Sequence, residues 1–183
     1  DHQAAWKLDF KEPLTSAESA AHMLRAPTAL MELTDEQAHT VVKYMQPLII
    51  PEGTVIFEEG DQEDTGYMLL IIGGEVTVET LIVSRQTPDT LMVLGPGSLI
   101  GEMALFDGAA RSATCTAASL VRCAVLSRDA IEALTRNEPA VAAHLMTAIG
   151  QRLAERMRQS DEKVRLYSHL VRTMQKEIDA LMR

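Results

Sequence analysis

Aromatic residues are scarce in this sequence, at 4% of its 183 residues. We therefore expect a core of aliphatic side chains and methionine, of which there are 10, because methionine adapts to irregular gaps between branched side chains. The apolar fraction of 46% suffices for one folded domain plus an extension.

Long apolar runs and an excess of basic residues are also absent. No segment reaches the roughly 18 apolar residues of a membrane-spanning helix, and the polar start Asp1–Glu12 does not resemble a signal peptide. The net charge of −9 argues against a surface for nucleic acid or anionic lipid. Only two cysteines are present, Cys115 and Cys123. We interpret them as buried reduced thiols and expect a cytoplasmic location.

Two short helices are predicted before the first strand. Ser16 is a candidate N-cap within a helical stretch from Pro13 to Arg25. A second helix is expected to begin after Thr34, because Gln37 three residues later completes a capping box. This helix should end before Pro47.

From residue 48 to residue 126 the apolar pattern changes to short strands separated by glycine-rich turns. The run Tyr67–Ile72 is almost continuously apolar, as in a buried strand, and Gly73-Gly74 indicates a hairpin. Several such strands predict a small closed or sandwich-like β-unit.

The rest of the chain is predicted to be helical. Ser127 is a candidate cap for a short helix, and Asn137 with Pro139 is expected to begin a last helix of about 65 Å. The predicted organisation is an N-terminal extension with helices over 1–47, a β-domain with a short helix over 48–136, and a long helix over 137–183.

The stretch from Gly95 to Ala117, GPGSLIGEMALFDGAARSATCTA, carries the most informative chemistry. A turn leads into a short helix at Gly101, and the N–H groups at a helix start attract anions. Glycine lets a ligand approach the backbone closely, and Ala104 leaves room beside it. Arg111 offers a planar set of donors that suits phosphate, while Glu102 can accept hydrogen bonds from sugar hydroxyls. This pattern indicates a phosphorylated sugar; the alternative is a turn, a cap and a surface arginine.

The motifs Gly-Glu-x-Ala-Leu at Gly101–Leu105 and Ala-Arg-Ser-Ala at Ala110–Ala113 resemble the phosphate-binding cassette of the cyclic-nucleotide-binding domain family. Upstream, Gly60-Asp61 and Gly74-Glu75-Val76 match a Gly-Asp turn and a Gly-Glu-Val hairpin of that family. The resemblance is to sensor domains of the catabolite-activator type. It implies a mainly β fold with helices: an eight-stranded antiparallel jelly roll, N-terminal helices before it and a long C-terminal coiled-coil helix.

The resemblance further implies a cyclic nucleotide bound inside the jelly roll, and no metal. The ligand-binding residues carried over on the cassette are Gly101, Glu102, Met103, Ala104, Arg111, Ser112 and Ala113. Arg111 would pair with the cyclic phosphate, and the amides near Ala104 and Ser112 would complete the cradle. Glu102, with the Gly101 carbonyl, would bind the ribose 2′-hydroxyl.

The identity of the base stays open at this point. In catabolite-activator-type regulators a Thr-Ser pair on the long helix reads adenine, and those positions are Arg156 and Met157 here. Arg156 either contacts the purine or is a solvated residue, and Arg152 either pairs with Glu102 or lies on the surface. Family frequency favours cAMP over cGMP, and a cyclic dinucleotide is a further alternative.

The last helix carries an apolar heptad repeat. The residues at heptad position a are β-branched, and those at heptad position d mostly have longer side chains. This pattern favours a parallel two-stranded coiled coil. Arg156 at g could meet Asp161 at e of the partner chain. The predicted seam of a homodimer consists of Leu153, Met157, Val164, Tyr167, Val171, Met174, Ile178 and Leu181, with Ser160 as a polar interruption.

The cysteines and histidines of this sequence do not favour an iron–sulfur protein or a metalloenzyme with a related fold. Two cysteines cannot supply the four ligands of an iron–sulfur cluster. A cupin-like metalloenzyme needs histidines inside the barrel, whereas His2, His22, His39, His144 and His169 all lie outside the predicted strands.

Three functions follow from the sequence. The first is a dimeric cyclic-nucleotide sensor, not an enzyme, in which binding reorients the C-terminal helix by a population shift. The second is the sensor part of a transcription regulator whose helix-turn-helix lies outside this sequence, with no direct contact between these residues and nucleic acid. The third is a structural dimer that no longer binds nucleotide.

Overall fold

The computed structural model describes residues 17–63, 65–81 and 88–181. Helix α1, Ala17–Leu24, and helix α2, Asp35–Val42, precede the strands. The capping box of α2 is confirmed, since Thr34 accepts from the Gln37 amide and the Gln37 side chain accepts from the Thr34 amide. Ser16, the candidate cap of the first helix, lies outside the described residues.

The described residues form eight strands in two four-stranded antiparallel sheets, which confirms the expected fold class. The first sheet has the order β1-β8-β3-β6 and the second has the order β2-β7-β4-β5. The strands are β1 Gln46–Ile50, β2 Val55–Phe57, β3 Tyr67–Gly73, β4 Val76–Leu81, β5 Pro88–Leu94, β6 Leu99–Ile100, β7 Thr114–Ala117 and β8 Val121–Ser127.

The interior between the sheets is aliphatic, as the scarcity of aromatic residues predicts. Strand β3 is buried along nearly its whole length, because its inner face joins this core while α1 and a short helix before β7 pack against it. The buried core cluster consists of Leu48, Ile50, Phe57, Leu69, Ile71, Val76, Ile100, Cys115, Ala117, Val121 and Cys123.

The Gly73-Gly74 turn joins β3 to β4, but the expected hairpin is wrong, because β3 pairs with β6 and β8 in the first sheet and β4 pairs with β5 and β7 in the second. Gly74 has a φ of +87°, and a Cβ there would collide with the backbone at Leu120 and Val121. Only glycine fits this position, so the turn that carries the chain from the first sheet to the second depends on it.

Three helices follow or interrupt the later strands: α3 Glu102–Asp107 between β6 and β7, α4 Arg128–Asn137, and α5 Pro139–Leu181. Ser127 caps α4 as predicted, with its hydroxyl accepting from the Ala130 amide at 3.2 Å. The expected cap at Asn137 is wrong. Asn137 is the last residue of α4, the Glu138 amide still donates to Leu134, and proline starts α5.

The chain divides into two compact units, one up to Leu145 and one from Met146 to Arg183. The first contains the β-roll, and the second consists of the greater part of α5. Within the described ranges, no helix has the length and hydropathy needed to cross a lipid bilayer.

Candidate functional site

The cassette segment, Gly101–Ala113, connects β6 to β7 through the six-residue helix α3. Gly101 is the N-cap of α3 with a φ of +82°, and its carbonyl accepts the first helical bond from the Leu105 amide at 3.3 Å. The amides of the first turn have no acceptor within the helix, as at any helix start. The segment therefore presents the backbone geometry expected of an anion-binding turn.

Gly101 is required by space as well as by backbone angle. A Cβ at this position would lie 2.7 Å from Nη1 of Arg111 and 2.7 Å from Cζ of Phe57. Both neighbours would have to move if a side chain were added. Gly101 therefore begins α3 and, because it has no side chain, also leaves space for the Arg111 guanidinium.

Arg111 is buried, with 4% of its surface exposed, which excludes the alternative of a surface arginine. Its Nη1 donates to the Gly101 carbonyl at 3.0 Å and its Nη2 donates to the Tyr67 carbonyl at 3.1 Å. Its guanidinium carbon lies 3.8 Å from the centre of the Phe57 ring and 5.1 Å from that of Tyr67. The guanidinium is therefore fixed from several directions.

The backbone of Arg111 is fixed as well. Its amide donates to the Asp61 carbonyl and its carbonyl accepts from the Gly60 amide, both at 2.8 Å. The Gly-Asp turn and the arginine of the cassette are thus neighbours in space. The sequence motifs alone did not give this pairing, because they lie 50 residues apart.

Glu102 begins α3 and is buried, with 3% of its surface exposed. In the described part of the chain, every buried side-chain nitrogen and oxygen has a hydrogen-bond partner, as the cost of burying a lone charge requires. The neighbouring Gly101 carbonyl already accepts from Arg111 and Leu105. Both acceptors at the start of α3, this carbonyl and the Glu102 carboxylate, are therefore already engaged within the protein.

The remaining cassette residues differ in exposure. Ala104 is buried, Ala113 is half-buried, and Met103 and Ser112 are exposed. Of the seven predicted cassette residues, the structure places Gly101 and Arg111 against Phe57, and Arg111 also against Tyr67. Their contacts with a ligand stay a prediction.

Sequence reasoning missed the two aromatic residues around Arg111. Phe57 ends β2 and Tyr67 begins β3, and their ring centres are 5.4 Å apart. Only six residues of the chain are Phe or Tyr, and two of them meet at one arginine. The scarcity of aromatic residues is the sequence feature that could have drawn attention to Phe57 and Tyr67.

A second feature not predicted is an apolar row on the inner face of the second sheet. Cys115 lies opposite both Phe57 and Val78, and Val78 lies opposite Met92. The first three pack in or against the core, whereas Met92 is 43% exposed. The row runs from Phe57, whose ring lies against the Arg111 guanidinium, to Met92 on β5.

A small apolar cleft also borders Tyr67. It is lined by Leu48, Ile50, Thr54, Val55, Ile56, Tyr67 and Leu69. None of the predicted site residues lines it, and it contains no charged group that would recognise phosphate. The chemistry of the cassette segment, rather than this cleft, identifies the site.

The described residues contain no group of three or more His, Cys, Asp or Glu side chains placed to hold a metal ion. Both cysteines are buried free thiols. Burial raises the pKa of the Cys123 thiol from 9.0 to about 12, and its Sγ lies 3.5 Å from the Leu48 carbonyl oxygen, to which it donates. A thiol held neutral in this way is a poor metal ligand and a poor nucleophile.

The other predicted residues lie on α5 in the second unit. Arg152 is half-buried and Arg156 is exposed, and their role at the nucleotide stays a prediction. Of the predicted seam, Leu153 is half-buried. The other seven residues expose between 47% and 87% of their surface: Met157, Val164, Tyr167, Val171, Met174, Ile178 and Leu181.

Comparison with known proteins bears on this geometry. A profile of the family described as cyclic nucleotide-binding domain matches residues 48–138. The crystal structure of a cyclic nucleotide-binding domain from Methylobacillus flagellatus KT aligns with 81% of this chain and 82% of that chain, at 32% sequence identity and a TM-score of 0.68. The chain belongs to the cyclic nucleotide-binding domain family.

This cyclic nucleotide-binding domain also resembles longer proteins. It is 35% identical over 136 residues to the cyclic AMP receptor protein of Thermus thermophilus, covering 74% of this chain and 60% of that protein. It is 30% identical over 131 residues to the CRP-like cAMP-activated global transcriptional regulator of Mycobacterium tuberculosis, covering 69% and 52% respectively. The chain thus spans between one half and three fifths of the length of these relatives.

Proposed function

We propose that this domain is a non-catalytic sensor that binds a cyclic nucleotide, cAMP in preference to cGMP, and signals through α5. The observation that carries the proposal is the buried Arg111, held between two carbonyls and an aromatic ring beside the start of α3. A buried cation next to a helix N-terminus is suited to an anionic group. A domain that had lost its ligand would have no need to keep such a costly arrangement.

Each part of the cassette segment has a role in this proposal. Arg111 binds the cyclic phosphate, and the amides near Met103-Ala104 and Ser112-Ala113 complete the cradle. Glu102 accepts from the ribose 2′-hydroxyl. The apolar row that ends at the half-exposed Met92 offers a surface on which a purine can lie.

The preference for cAMP rests on the relatives. The two proteins named above are described as a cyclic AMP receptor and a cAMP-activated regulator. Arg152 and Arg156 remain the candidates on α5 for contact with Glu102 and the base. Substitution of each should show whether it affects the ratio of cAMP to cGMP affinity.

The proposal includes a parallel homodimer through α5. Seven seam residues are exposed in the single chain and recur with the heptad spacing of a coiled coil. Pairing with a second copy would cover them and would place Arg156 near Asp161 of the other helix. A nucleotide that binds more tightly to one arrangement of the two helices would then shift the equilibrium towards that arrangement.

A second candidate function is the sensor part of a transcription regulator. It is favoured by the description of the Mycobacterium tuberculosis relative as a transcriptional regulator, of which this chain covers 52%. In that case the acidic residues described here would not contact nucleic acid themselves. A cytoplasmic location is part of both proposals and is supported by the two free buried thiols.

The test is calorimetric titration of the chain with cAMP and with cGMP, repeated on Arg111→Ala. We expect binding of cAMP that weakens by at least about a hundredfold in the variant, because a charge-assisted contact to phosphate is lost. Arg122→Ala is the matched control, since Arg122 is an exposed arginine on β8 and its loss changes the charge equally. Absence of binding to either nucleotide would overturn this proposal and would leave a different ligand, such as a cyclic dinucleotide, or the structural dimer.

A further inference from the structure

Two aromatic rings surround the guanidinium that is proposed to bind phosphate. We propose that Phe57, assisted by Tyr67, is a positioning residue that fixes Arg111 for an anionic phosphodiester and thereby increases nucleotide affinity. This inference rests on the proposed function, because it assigns Arg111 to the phosphate. Phe57 acts through Arg111 in this proposal and is not itself a ligand contact.

The contacts leave Arg111 little freedom. The Phe57 ring, 3.8 Å from the guanidinium carbon, covers one face of the group. The carbonyls of Gly101 and Tyr67 each accept one of its hydrogens, at 3.0 and 3.1 Å, which fixes rotation about the terminal bond. A cation at this distance from an aromatic face is stabilised by the ring's quadrupole.

Three separate elements have to meet for this arrangement. Phe57 comes from β2, Tyr67 from β3 and Gly101 from the start of α3. A Cβ on Gly101 would approach both Phe57 and Arg111 to 2.7 Å. The glycine therefore makes room for the ring and the guanidinium together, in addition to any space it leaves for a ligand.

Fixing the arginine in advance favours binding for two reasons. A flexible arginine loses side-chain entropy when it is immobilised by a ligand, and this cost is avoided if the side chain is already held. A guanidinium that is only 4% exposed also interacts with phosphate through a less polar medium than water, in which attraction between charges is stronger.

The experiment separates the electrostatic role of Phe57 from its role in packing. In the full chain, Phe57 is replaced by 3,5-difluorophenylalanine, which keeps the ring and weakens the negative potential of its face. We expect cAMP affinity to fall about threefold, and roughly tenfold in Phe57→Leu, where the ring is lost. The matched control is the same fluorinated residue at Tyr44, compared with Tyr44→Phe; Tyr44 lies between α2 and β1, outside the cassette segment, and we expect no change there.

A second measurement needs no ligand. In the nitrogen-15 NMR spectrum of the free chain, the Nε–H signal of Arg111 should be shifted by the ring current of Phe57, and Phe57→Leu should remove that shift. The signal is assigned by its loss in Arg111→Lys. Tyr67→Leu is the additional variant, so that the result does not depend on Phe57→Leu being folded.

The outcomes are distinct. Unchanged cAMP affinity in the difluorophenylalanine and leucine variants, with binding intact in the unaltered chain, would overturn the positioning role. Equal losses from fluorination at Phe57 and at Tyr44 would also overturn it. If the unaltered chain binds neither cAMP nor cGMP, the proposed function fails, and the NMR signal alone decides whether Phe57 fixes Arg111.

Discussion

Strand β3 and the second half of α5 are both rich in apolar residues, yet they place them in opposite environments. From Met68 onwards, β3 is buried within its own chain, by the facing sheet on one side and by α1 and α3 on the other. The seam residues of α5 from Met157 onwards are exposed in the single chain. The same class of side chain therefore stabilises folding in one region and is available for association in the other.

The difference follows from periodicity. A continuous apolar run can be buried on both faces of a strand, whereas a repeat at heptad spacing marks one stripe of a helix. The β-roll completes its core by itself, with its two cysteines and Phe57 inside. The stripe on α5 has no comparable cover among the described residues of its own unit, and the proposed homodimer would supply that cover.

The largest effect should come from a charge placed in β3. Leu70 is fully buried, and Leu70→Asp should destabilise the first unit by more than about 4 kcal/mol, because an unpaired carboxylate would be enclosed in the core. Urea unfolding followed by circular dichroism measures this. Val93→Asp is the control on an exposed strand position, where a loss below about 1 kcal/mol is expected. Equal losses at the two sites would contradict the burial of β3.

The same substitution on α5 should act on association instead. Val171→Asp should weaken the dimer by at least about a hundredfold, since it places two carboxylates at one layer of the seam. Sedimentation velocity measures the dimer, and urea unfolding of the β-roll should stay unchanged. Thr173→Asp, at an exposed position outside the seam, carries the same charge and should leave the dimer intact. A monomeric unaltered chain would refute the seam itself.

The smallest effect concerns the thiol of Cys123 in the core. Because burial raises its pKa from 9.0 to about 12, the unfolded chain releases this proton at lower pH than the folded chain does. The free energy of unfolding should therefore be unaffected by this group below pH 9 and should decrease between pH 9 and about 12.

The comparison is with Cys123→Ala, measured by urea unfolding. From about pH 8 to about pH 10 the natural chain should lose about 1 kcal/mol more than the variant. In a Thr173→Cys variant, the new thiol lies at an exposed position of α5 outside the seam and should react with an alkylating reagent in the folded protein, while Cys123 does not. Parallel pH profiles for the natural chain and Cys123→Ala would contradict the burial argument.

Much of the fold was predictable because its signals are local. The apolar run of β3, the turn at Gly74, the capping box at Thr34 and the cap at Ser127 each depend on residues within a few positions of one another. The cassette was recognisable for the same reason. Its glycine, glutamate and arginine lie within 11 residues, so the motif can be recognised directly in the sequence.

The remaining features depend on contacts between distant segments. The stacking of Phe57 on Arg111 requires the pairing of β2 with β7, which includes an irregularity between Val55 and Phe57 that no local pattern specifies. Strand β1 starts earlier than expected, at Gln46. Proline at position 47 is tolerated because β1 is an edge strand of its sheet.

The unbroken course of α5 has a consequence for how this sequence can change over time. Each inserted or deleted residue rotates everything after it by about 100° around the helix axis, which in the proposed dimer would turn the stripe away from the second helix. Insertions or deletions of seven residues restore the face almost completely. Homologues that retain the stripe should therefore differ in the length of this helix in steps of seven residues.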